Sequence, residues 1–210
     1  MNPVAAYLDP VPLIAVLRGI SPEEVDDVAG VLVDAGFRIL EVPLNSPRPY
    51  DSIRRLAQVH GGRCLIGAGT VLRAEDVKRV RDAGGAIVVM PHADLDIVRE
   101  AKRQGMVCVP GVATPTEAFA ALAAGGSASA GNILSASAPA ALRAWRAVLP
   151  KDALVFAVGG MKPDNLDPYW EAGASGFGTG SNLYKPGTPV GVVREVAAAY
   201  AAAVRALPKR

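Results

Sequence analysis

Two residues that could do acid–base chemistry or bind an anion stand within predicted β-strands. Glu41 lies among apolar neighbours in "ILEVPLNSP", and Arg18 closes "PLIAVLR". A carboxylate is costly to bury unless it is paired, and burial raises its pKa towards values useful for proton transfer. Glu41 is therefore either a general acid/base or one half of a structural salt bridge with Arg18. Arg18 could bind a substrate carboxylate through two parallel hydrogen bonds, or only neutralise Glu41.

The other polar and reactive side chains carry weaker signals. Thr70 follows "LIGAG" and could donate a hydroxyl to a ligand or cap the next helix. His92 ends a predicted strand and is interpreted as a loop or cap residue, whereas His60 is placed in a helix-to-strand turn at the opposite face. Cys64 and Cys108 lie in apolar runs and are predicted to be buried, reduced thiols. No spacing typical of a zinc site occurs, so neither a metal nor a cofactor is expected.

Two glycine-rich turns follow predicted strands near the C-terminal end of the sequence, in "VGGMKPDN" and "GTGSNLY". Glycines leave backbone N–H groups open to an anion, and a helix that starts directly afterwards would add the positive end of its dipole. The sequence therefore predicts a phosphate site, whose candidate contacts are Gly159, Gly160, Gly180 and Ser181.

These residues must be positioned by the elements around them, which alternate between apolar strands and amphipathic helices. Near-continuous hydrophobic strands separated by single helices indicate a parallel sheet covered by helices. Strands are predicted at 12–18, 37–43, 63–69, 86–91, 106–111, about 127–132, 153–160 and 175–180. Eight strand–helix units favour an α/β fold of the (β/α)8 TIM barrel type, with an open doubly wound sheet as the alternative. We expect a single domain over 1–210, with a short segment before the first strand.

A repeated pattern supports the sixth strand, which the side chains alone would not predict. A helix-ending glycine is followed closely by a strand in "DAGFRILEVP", "DAGGAIVVMP", "RQGMVCVPG" and "EAGASGFGTG". Such a glycine allows the left-handed turn that ends a helix. The same glycine occurs in "LAAGGSASAGN", which places a strand within the small and polar stretch Gly126 to Ser135.

Composition excludes several classes of function. The chain has 210 residues and a formal net charge of +2, without a lysine- or arginine-rich block, so a nucleic-acid partner is not expected. No apolar segment reaches the roughly 20 residues that span a bilayer, so no membrane association is expected. The N-terminal stretch lacks the basic region of a signal peptide, which favours a cytoplasmic location.

The residues now quoted resemble a known family. "PLIAVLRGI", "AGFRILEVPLNSP", "LIGAGTVL", "VPGVATPTEAFAAL" and "VFAVGGMKPDNL…EAGASGFGTGSNLY" are similar to the 2-keto-3-deoxy-6-phosphogluconate and phosphogalactonate aldolases. The resemblance runs from about Pro12 to Pro186. "EVPLNSP" resembles the galactonate branch, since the gluconate branch usually has a different, arginine-containing loop there. Preference between the two C4 epimers is expected to depend on the loop at Asn45 and Ser46.

The resemblance implies a lyase that reversibly cleaves 2-dehydro-3-deoxy-6-phosphogalactonate to pyruvate and glyceraldehyde 3-phosphate. The implied route is a class I, Schiff-base mechanism without metal, and the implied assembly is a homotrimer. By the same resemblance Glu41 matches the general acid/base, and Arg18 and Thr70 match groups around the pyruvate moiety. Gly159, Gly160, Gly180 and Ser181 match the phosphate site.

The Schiff-base lysine of the family is missing from this sequence. Cleavage of a carbon–carbon bond beside a ketone needs an electron sink, which a lysine imine supplies. An ungapped placement puts Ala130 where a stretch resembling "LKIFP" would carry that lysine. Three explanations stay open: a frame-shifted stretch over 126–140, a protein that only binds a phosphorylated sugar acid, or a relocated amine, with Lys162 as the candidate.

The same substitution bears on stability. Each large core side chain replaced by Ser or Ala removes about 1.5–3 kcal/mol, before any cavity cost. We therefore expect a poorly packed sixth strand.

Overall fold

The computed structural model describes residues 4–127, 129–131 and 138–209, and shows an α/β, TIM-like fold built on a parallel sheet. Every strand pair in the sheet is parallel, as the predicted alternation of strands and helices requires. The strands are β1 Leu13–Val16, β2 Ile39–Pro43, β3 Leu65–Gly69, β4 Ile87–Val89, β5 Val107–Val109, β6 Gly111–Val112, β7 Ser129–Gly131, β8 Val155–Val158 and β9 Gly176–Thr179.

Helices connect the strands, and a short 3-10 helix, Ala5–Tyr7, precedes β1. Two helices begin with side-chain caps: Thr114 and Glu117 form a capping box on one, and Asp94 accepts the N–H groups of Asp96 and Ile97 on the other. The α-helices are α1 Val25–Ala35, α2 Pro49–His60, α3 Ala74–Asp82, α4 Leu95–Arg103, α5 Pro115–Ala124, α6 Ala138–Arg146, α7 Asp167–Glu171 and α8 Val190–Ala206.

The strand order is β5-β4-β3-β2-β1-β9-β8-β7-β6, so the first and last strands of the fold, β1 and β9, are neighbours. The strand predicted at 106–111 is divided into β5 and β6 by Pro110. Proline has no N–H to donate to a neighbouring strand, which accounts for the interruption. All other predicted strand positions are confirmed, with shorter bounds.

The helix-ending glycines behave as their repeated pattern predicts. Gly36 ends α1 with φ = 111°, and Gly125 ends α5 with φ = 105°. A side chain is strained in this left-handed region, so glycine lets the chain reverse into the sheet. The agreement at Gly125 is informative because a strand, β7, does follow it.

The stretch singled out at 126–140 is only partly described. Residues 128 and 132–137, which belong to the proposed frame-shifted segment, lie outside the described residues. The backbone of Ser129–Gly131 forms β7 and pairs with β6 and β8. A strand at this place is confirmed, whereas its poor packing stays a prediction.

Buried apolar side chains form two clusters on the two faces of the sheet. The larger cluster joins the strands to the helices that cover them. The smaller cluster is built from strand residues and closed by Val4 and the 3-10 segment; its members include Ile14, Ile39, Leu65, Ile87, Val107 and Phe156. Residues that continue this second face towards the carboxyl ends of the strands, such as Glu41, are placed to line a site there.

Two simpler expectations can be compared with the structure directly. Cys64 and Cys108 are both buried and free, as predicted. Among the residues that the structure describes, no helix is both long and apolar enough to cross a membrane.

Arg146 fastens the end of α6 to the amino-terminal edge of the sheet. Its guanidinium donates to the carbonyl oxygens of Ala153 (2.6 Å) and Gly173 (2.8 Å) and to the hydroxyl of Ser175 (2.8 Å). Ala153 and Ser175 lie just before β8 and β9, so one side chain ties a helix to two strands.

We expect Arg146→Met to lower the free energy of unfolding by about 2–4 kcal/mol, because it leaves partly buried acceptors without their charged donor. Arg143→Met, an exposed position one turn earlier on the same helix, is the matched control. Denaturant-induced unfolding of both variants measures the difference, and equal stabilities would show that Arg146 is not a structural tie.

Candidate active site

Glu41 lies on β2, where the neighbouring strands leave space for its carboxyl group. It lies in register with Val16 of β1 and Gly67 of β3, and only 3% of its surface is exposed. A Cβ atom built on Gly69 would overlap the Glu41 carboxyl, so the glycine at the end of β3 provides the necessary space. Among the described residues, Oε2 of Glu41 has no hydrogen-bond partner.

Burial has the expected electrostatic effect on this carboxyl. Removal from water raises the pKa of Glu41 to about 8, against the opposing effects of the Arg18 charge and the Gly69 backbone N–H. At neutral pH the group is therefore mostly protonated and can give up its proton within the physiological range. That is the behaviour of a general acid/base.

Arg18 is not the salt-bridge partner that one interpretation of the sequence proposed for Glu41. Its guanidinium donates instead to Oδ1 of Asn45 at 2.8 Å and to Oγ1 of Thr70 at 3.2 Å. The side chain is exposed and directed to the mouth of the site. Arg18 is thus oriented by neutral acceptors and keeps its positive charge for an anionic ligand.

Thr70 adopts an unusual backbone conformation directly after β3. Its φ of +52° lies in the left-handed region, where a β-branched side chain is strained. The alternative that Thr70 caps the next helix is wrong, because α3 begins at Ala74 and its N-cap is Arg73. The strain is accompanied by a specific contact of the Thr70 hydroxyl with Arg18, which points to a role in the site.

A small cavity of about 90 Å³ brings these groups together. Glu41, Arg18 and Thr70 line it along with apolar residues of four strands; these are Ile14, Val16, Val89, Met90, Val158 and Gly178, with Pro91 at the edge. The three predicted site residues therefore share one pocket. Its size suits a small polar group such as a keto acid.

A larger cavity of about 520 Å³ adjoins it and shares Val16, Arg18, Val158 and Gly178 with the smaller one. All four residues predicted to bind phosphate line this cavity; they are Gly159, Gly160, Gly180 and Ser181. Within the described lining, Arg18 and Lys185 supply positive charge and no acidic side chain is present. The larger cavity is suited to an anion.

The predicted contribution of helix N-termini to this cavity is wrong. The helix after Gly160 begins only at Asp167, and the helix after Ser181 begins at Val190. A tight turn follows Gly180 instead, whose carbonyl accepts the N–H groups of Leu183 (2.7 Å) and Tyr184 (3.1 Å). These two bonds leave the N–H groups of the preceding turn residues available to a ligand.

The remaining candidates lie elsewhere. Lys162 is exposed and lines a separate surface cavity with Asp164 and Asn182, so it is not brought to Glu41. His92 is a loop residue, and its Nε2 lies 3.9 Å from Oδ2 of Asp94. His60 is buried at the end of α2, as the helix-to-strand position predicts.

Two loops bring further residues to the site, through contacts at Asn45 and Ser46 that the sequence did not predict and through Lys185. The Asn45 side chain accepts from Arg18, and the Ser46 hydroxyl accepts the N–H of Gly19 at 2.9 Å. "LNSP" therefore supports the loop over 18–21 that follows β1, which is called the Arg18 loop. The side chain of Lys185 was not singled out, although "LYKPG" follows the predicted phosphate turn directly and would have indicated it.

Residue 130, where the resemblance places the missing lysine, lies in β7. Ala130 pairs with Gly111 of β6 and Phe156 of β8. Register partners in a parallel sheet share a face, and Phe156 belongs to the smaller buried cluster. Position 130 therefore lies on the same face of the sheet as that cluster.

The fold and site together define a TIM-like α/β protein with a buried glutamate at the carboxyl ends of its strands and an adjoining cavity that carries positive side chains. The model of the family "Aldolase: KDPG and KHG aldolase" matches residues 4–190. The chain belongs to this family of lyases.

Individual relatives agree with this assignment. The chain is 47% identical to a "Probable 2-dehydro-3-deoxy-6-phosphogalactonate aldolase" of Rhizobium meliloti (strain 1021), over 93% of this chain and 92% of the relative. It is 45% identical to the "2-dehydro-3-deoxy-6-phosphogalactonate aldolase" of Escherichia coli (strain K12), over 92% and 95%. A solved structure described as "Native KDPGal structure" superposes with a TM-score of 0.92 at 44% identity, covering 95% of this chain and 97% of that one.

The raised pKa of Glu41 predicts a pH dependence of stability. Between its ordinary value of 4.5 and about 8 the folded chain keeps a proton that the unfolded chain loses, so stability falls as pH rises through this window. We expect the stability of the parent, relative to Glu41→Gln, to fall by about 2–4 kcal/mol from pH 5 to pH 8. Glu195→Gln, at an exposed position on α8, should leave the profile unchanged. Parallel unfolding profiles for parent and Glu41→Gln in guanidinium would contradict the assignment.

Proposed function

We propose that the chain has the binding and acid/base groups of an aldolase site for 2-dehydro-3-deoxy-6-phosphogalactonate, and that an amine at position 130 completes this site for cleavage to pyruvate and glyceraldehyde 3-phosphate. The observation that carries the proposal is the buried Glu41 carboxyl, which lines a cavity with Arg18 and Thr70 and has one oxygen without a partner among the residues that the structure describes. The relatives at 45–47% identity, which bear the phosphogalactonate name, support the choice of substrate over the phosphogluconate epimer.

The two joined cavities match the two ends of such a substrate. The carboxylate and ketone of the substrate would enter the smaller cavity, where Arg18 binds the carboxylate and the Thr70 hydroxyl lies beside it. The phosphoryl group would enter the larger cavity, against the open backbone of Gly159, Gly160 and Gly180 and the Ser181 hydroxyl.

The chemistry needs a primary amine and a proton carrier. An amine attacks the C2 ketone, and loss of water gives an imine, with Glu41 donating a proton to the departing hydroxyl. The Glu41 carboxylate then takes the proton of the C4 hydroxyl. The C3–C4 bond breaks, its electron pair enters the enamine, and the aldehyde leaves. Protonation at C3 and hydrolysis by water return the amine and release pyruvate.

Alanine at position 130 favours a second candidate function. Without an amine at this position, the same cavities would hold a phosphorylated sugar acid and leave its C3–C4 bond intact. A relocated amine at Lys162 has no support from geometry, because Lys162 lines neither of the two cavities. The two functions differ only in whether the chain forms a covalent adduct with the ketone.

We further propose that the sheet closes into a complete eight-stranded barrel, as one domain, and that the chain assembles as a homotrimer. The hydrogen bonds around Pro110 support closure, because Met90 N donates to Val109 O (3.1 Å) on one side and Ser127 N donates to Cys108 O (2.9 Å) on the other. β5 and β6 would then be two halves of one strand. The trimer rests on the family resemblance and is tested by light scattering of the purified chain.

Trapping with borohydride tests the role of position 130. We expect no reduced adduct with pyruvate in the parent chain and a stoichiometric adduct on residue 130 in Ala130→Lys, because only the variant places an amine on this face of the sheet. Peptide mapping by mass spectrometry locates the adduct. Ala130→Met, a side chain of similar reach without an amine, is the matched control.

An adduct on Lys162 of the parent chain would contradict this assignment of the amine position, and Lys162→Met would confirm that result. Parent protein that cleaves the substrate as fast as Ala130→Lys, without an imine, would overturn the Schiff-base route altogether.

The Glu41 role is tested in the Ala130→Lys chain. Glu41→Gln should lower the cleavage rate about 10²- to 10⁴-fold, because the amide cannot exchange the protons of the C2 and C4 hydroxyls. Substrate affinity should change little, since the amide keeps the shape of the neutral acid. Pyruvate release measured with a coupled lactate dehydrogenase assay gives both quantities. A rate within threefold of the Ala130→Lys chain would exclude Glu41 as the acid/base.

A further inference from the structure

Glu24, at the start of α1, joins two loops that carry opposite ends of the proposed site. One oxygen of its carboxylate accepts the N–H (3.3 Å) and hydroxyl (2.9 Å) of Ser21, in the loop that follows Arg18. The other oxygen accepts the N–H of Gly187 (3.3 Å) and the hydroxyl of Tyr184 (3.4 Å). A single carboxylate therefore receives four donors from two separate segments of the chain.

The second segment, from Tyr184 to Gly187, is called the Lys185 turn. Tyr184, Lys185 and Pro186 all line the larger cavity. The turn is closed internally, because the Thr188 N–H donates to the Lys185 carbonyl at 3.0 Å and the Lys185 N–H donates to the Thr188 hydroxyl at 3.3 Å. Its backbone thus fixes where the Lys185 side chain starts.

The two loops also touch directly. A Cβ atom built on Gly19 would lie 2.6 Å from Cγ of Pro186, and Gly19 itself has φ = 82°. The close approach leaves no room for a side chain at position 19, so the Lys185 turn packs on the backbone that follows Arg18. Glu24 binds residues close in sequence to each side of this contact, Ser21 on one loop and Gly187 on the other.

The protonation state of Glu24 fits this arrangement. Partial burial acts to raise its pKa, but the hydrogen bonds from Ser21, Gly187 and Tyr184 outweigh burial and hold the pKa below its usual value. Glu24 is therefore an anion at neutral pH and can accept from all four donors at once.

We propose that Glu24 is a positioning residue that holds the Lys185 turn against the Arg18 loop, and so places the Lys185 ammonium beside the phosphoryl group of the ligand. This inference rests on the proposed function for the location of the phosphate end. The inference adds the Lys185 ammonium to the glycine backbone as a contact for the phosphoryl group. It also adds Glu24 as a residue that acts only through Lys185.

Calorimetric titration with sn-glycerol 3-phosphate tests the inference, and an NMR titration with pyruvate tests the other end of the site. Glu24→Gln keeps the shape of the side chain but replaces one acceptor oxygen with an NH₂ group. This donor would then face an existing donor. We expect Glu24→Gln and Lys185→Gln each to weaken glycerol 3-phosphate binding about tenfold, with pyruvate affinity unchanged.

The double variant separates positioning from direct contact. If Glu24 acts through Lys185, then adding Glu24→Gln to Lys185→Gln should weaken binding by less than twofold more. Glu23→Gln is the matched control, since the neighbouring glutamate pairs with Arg48 at an exposed site away from the turn. It should leave both affinities unchanged.

Several results would overturn the inference. These are full affinity for glycerol 3-phosphate in Glu24→Gln, additive losses in the double variant, an equal loss of pyruvate binding, or no binding of glycerol 3-phosphate by the parent. None of these measurements needs an amine at position 130. A failure to form the imine in Ala130→Lys would therefore count against the proposed cleavage and leave the role of Glu24 to be decided by binding alone.

Discussion

The site depends on keeping one carboxyl group, that of Glu41, out of water without pairing it with a cation. An unpaired buried carboxylate is costly, so the group retains its proton and its pKa rises to about 8. Two features maintain this state. Gly69 leaves the space that the carboxyl occupies, and Arg18 is drawn away to Asn45 and Thr70. A direct Arg18–Glu41 ion pair would keep the carboxylate ionised. It would also neutralise the Arg18 charge that would bind a substrate anion.

The backbone contributes to the same arrangement. Thr70 is held in a left-handed conformation, which costs of order 1–3 kcal/mol for a residue of this kind. This conformation lets the Thr70 hydroxyl accept a hydrogen bond from Arg18 at the end of β3, next to the Glu41 pocket. The surrounding sheet therefore stabilises a strained turn, and the site is ordered before a ligand arrives.

The sequence predicts the scaffold well, because apolar periodicity and helix-ending glycines are local signals. It predicts strands at their places, the glycine cap at Gly125 and the convergence of Glu41, Arg18 and Thr70 at the strand ends. It does not predict which acceptor Arg18 chooses, since Asn45 is 27 residues away and the outcome depends on loop geometry. The helix N-termini expected at the glycine turns failed for a similar reason. "GGMKPDN" and "GSNLYKPG" predict turns, but their letters do not say how many residues pass before a helix begins at Asp167 or Val190.

The two cavities share lining residues, and this bears on the length of ligand that can contact both. Both cavities are bordered by Val16, Arg18, Val158 and Gly178, so the six-carbon acid phosphate of the proposed function would contact both cavities at once. A three-carbon fragment fills one cavity only. Cleavage of the substrate between the two cavities would therefore replace one ligand that contacts both cavities with two products that each contact one. The arrangement of the cavities would thus favour release of the products.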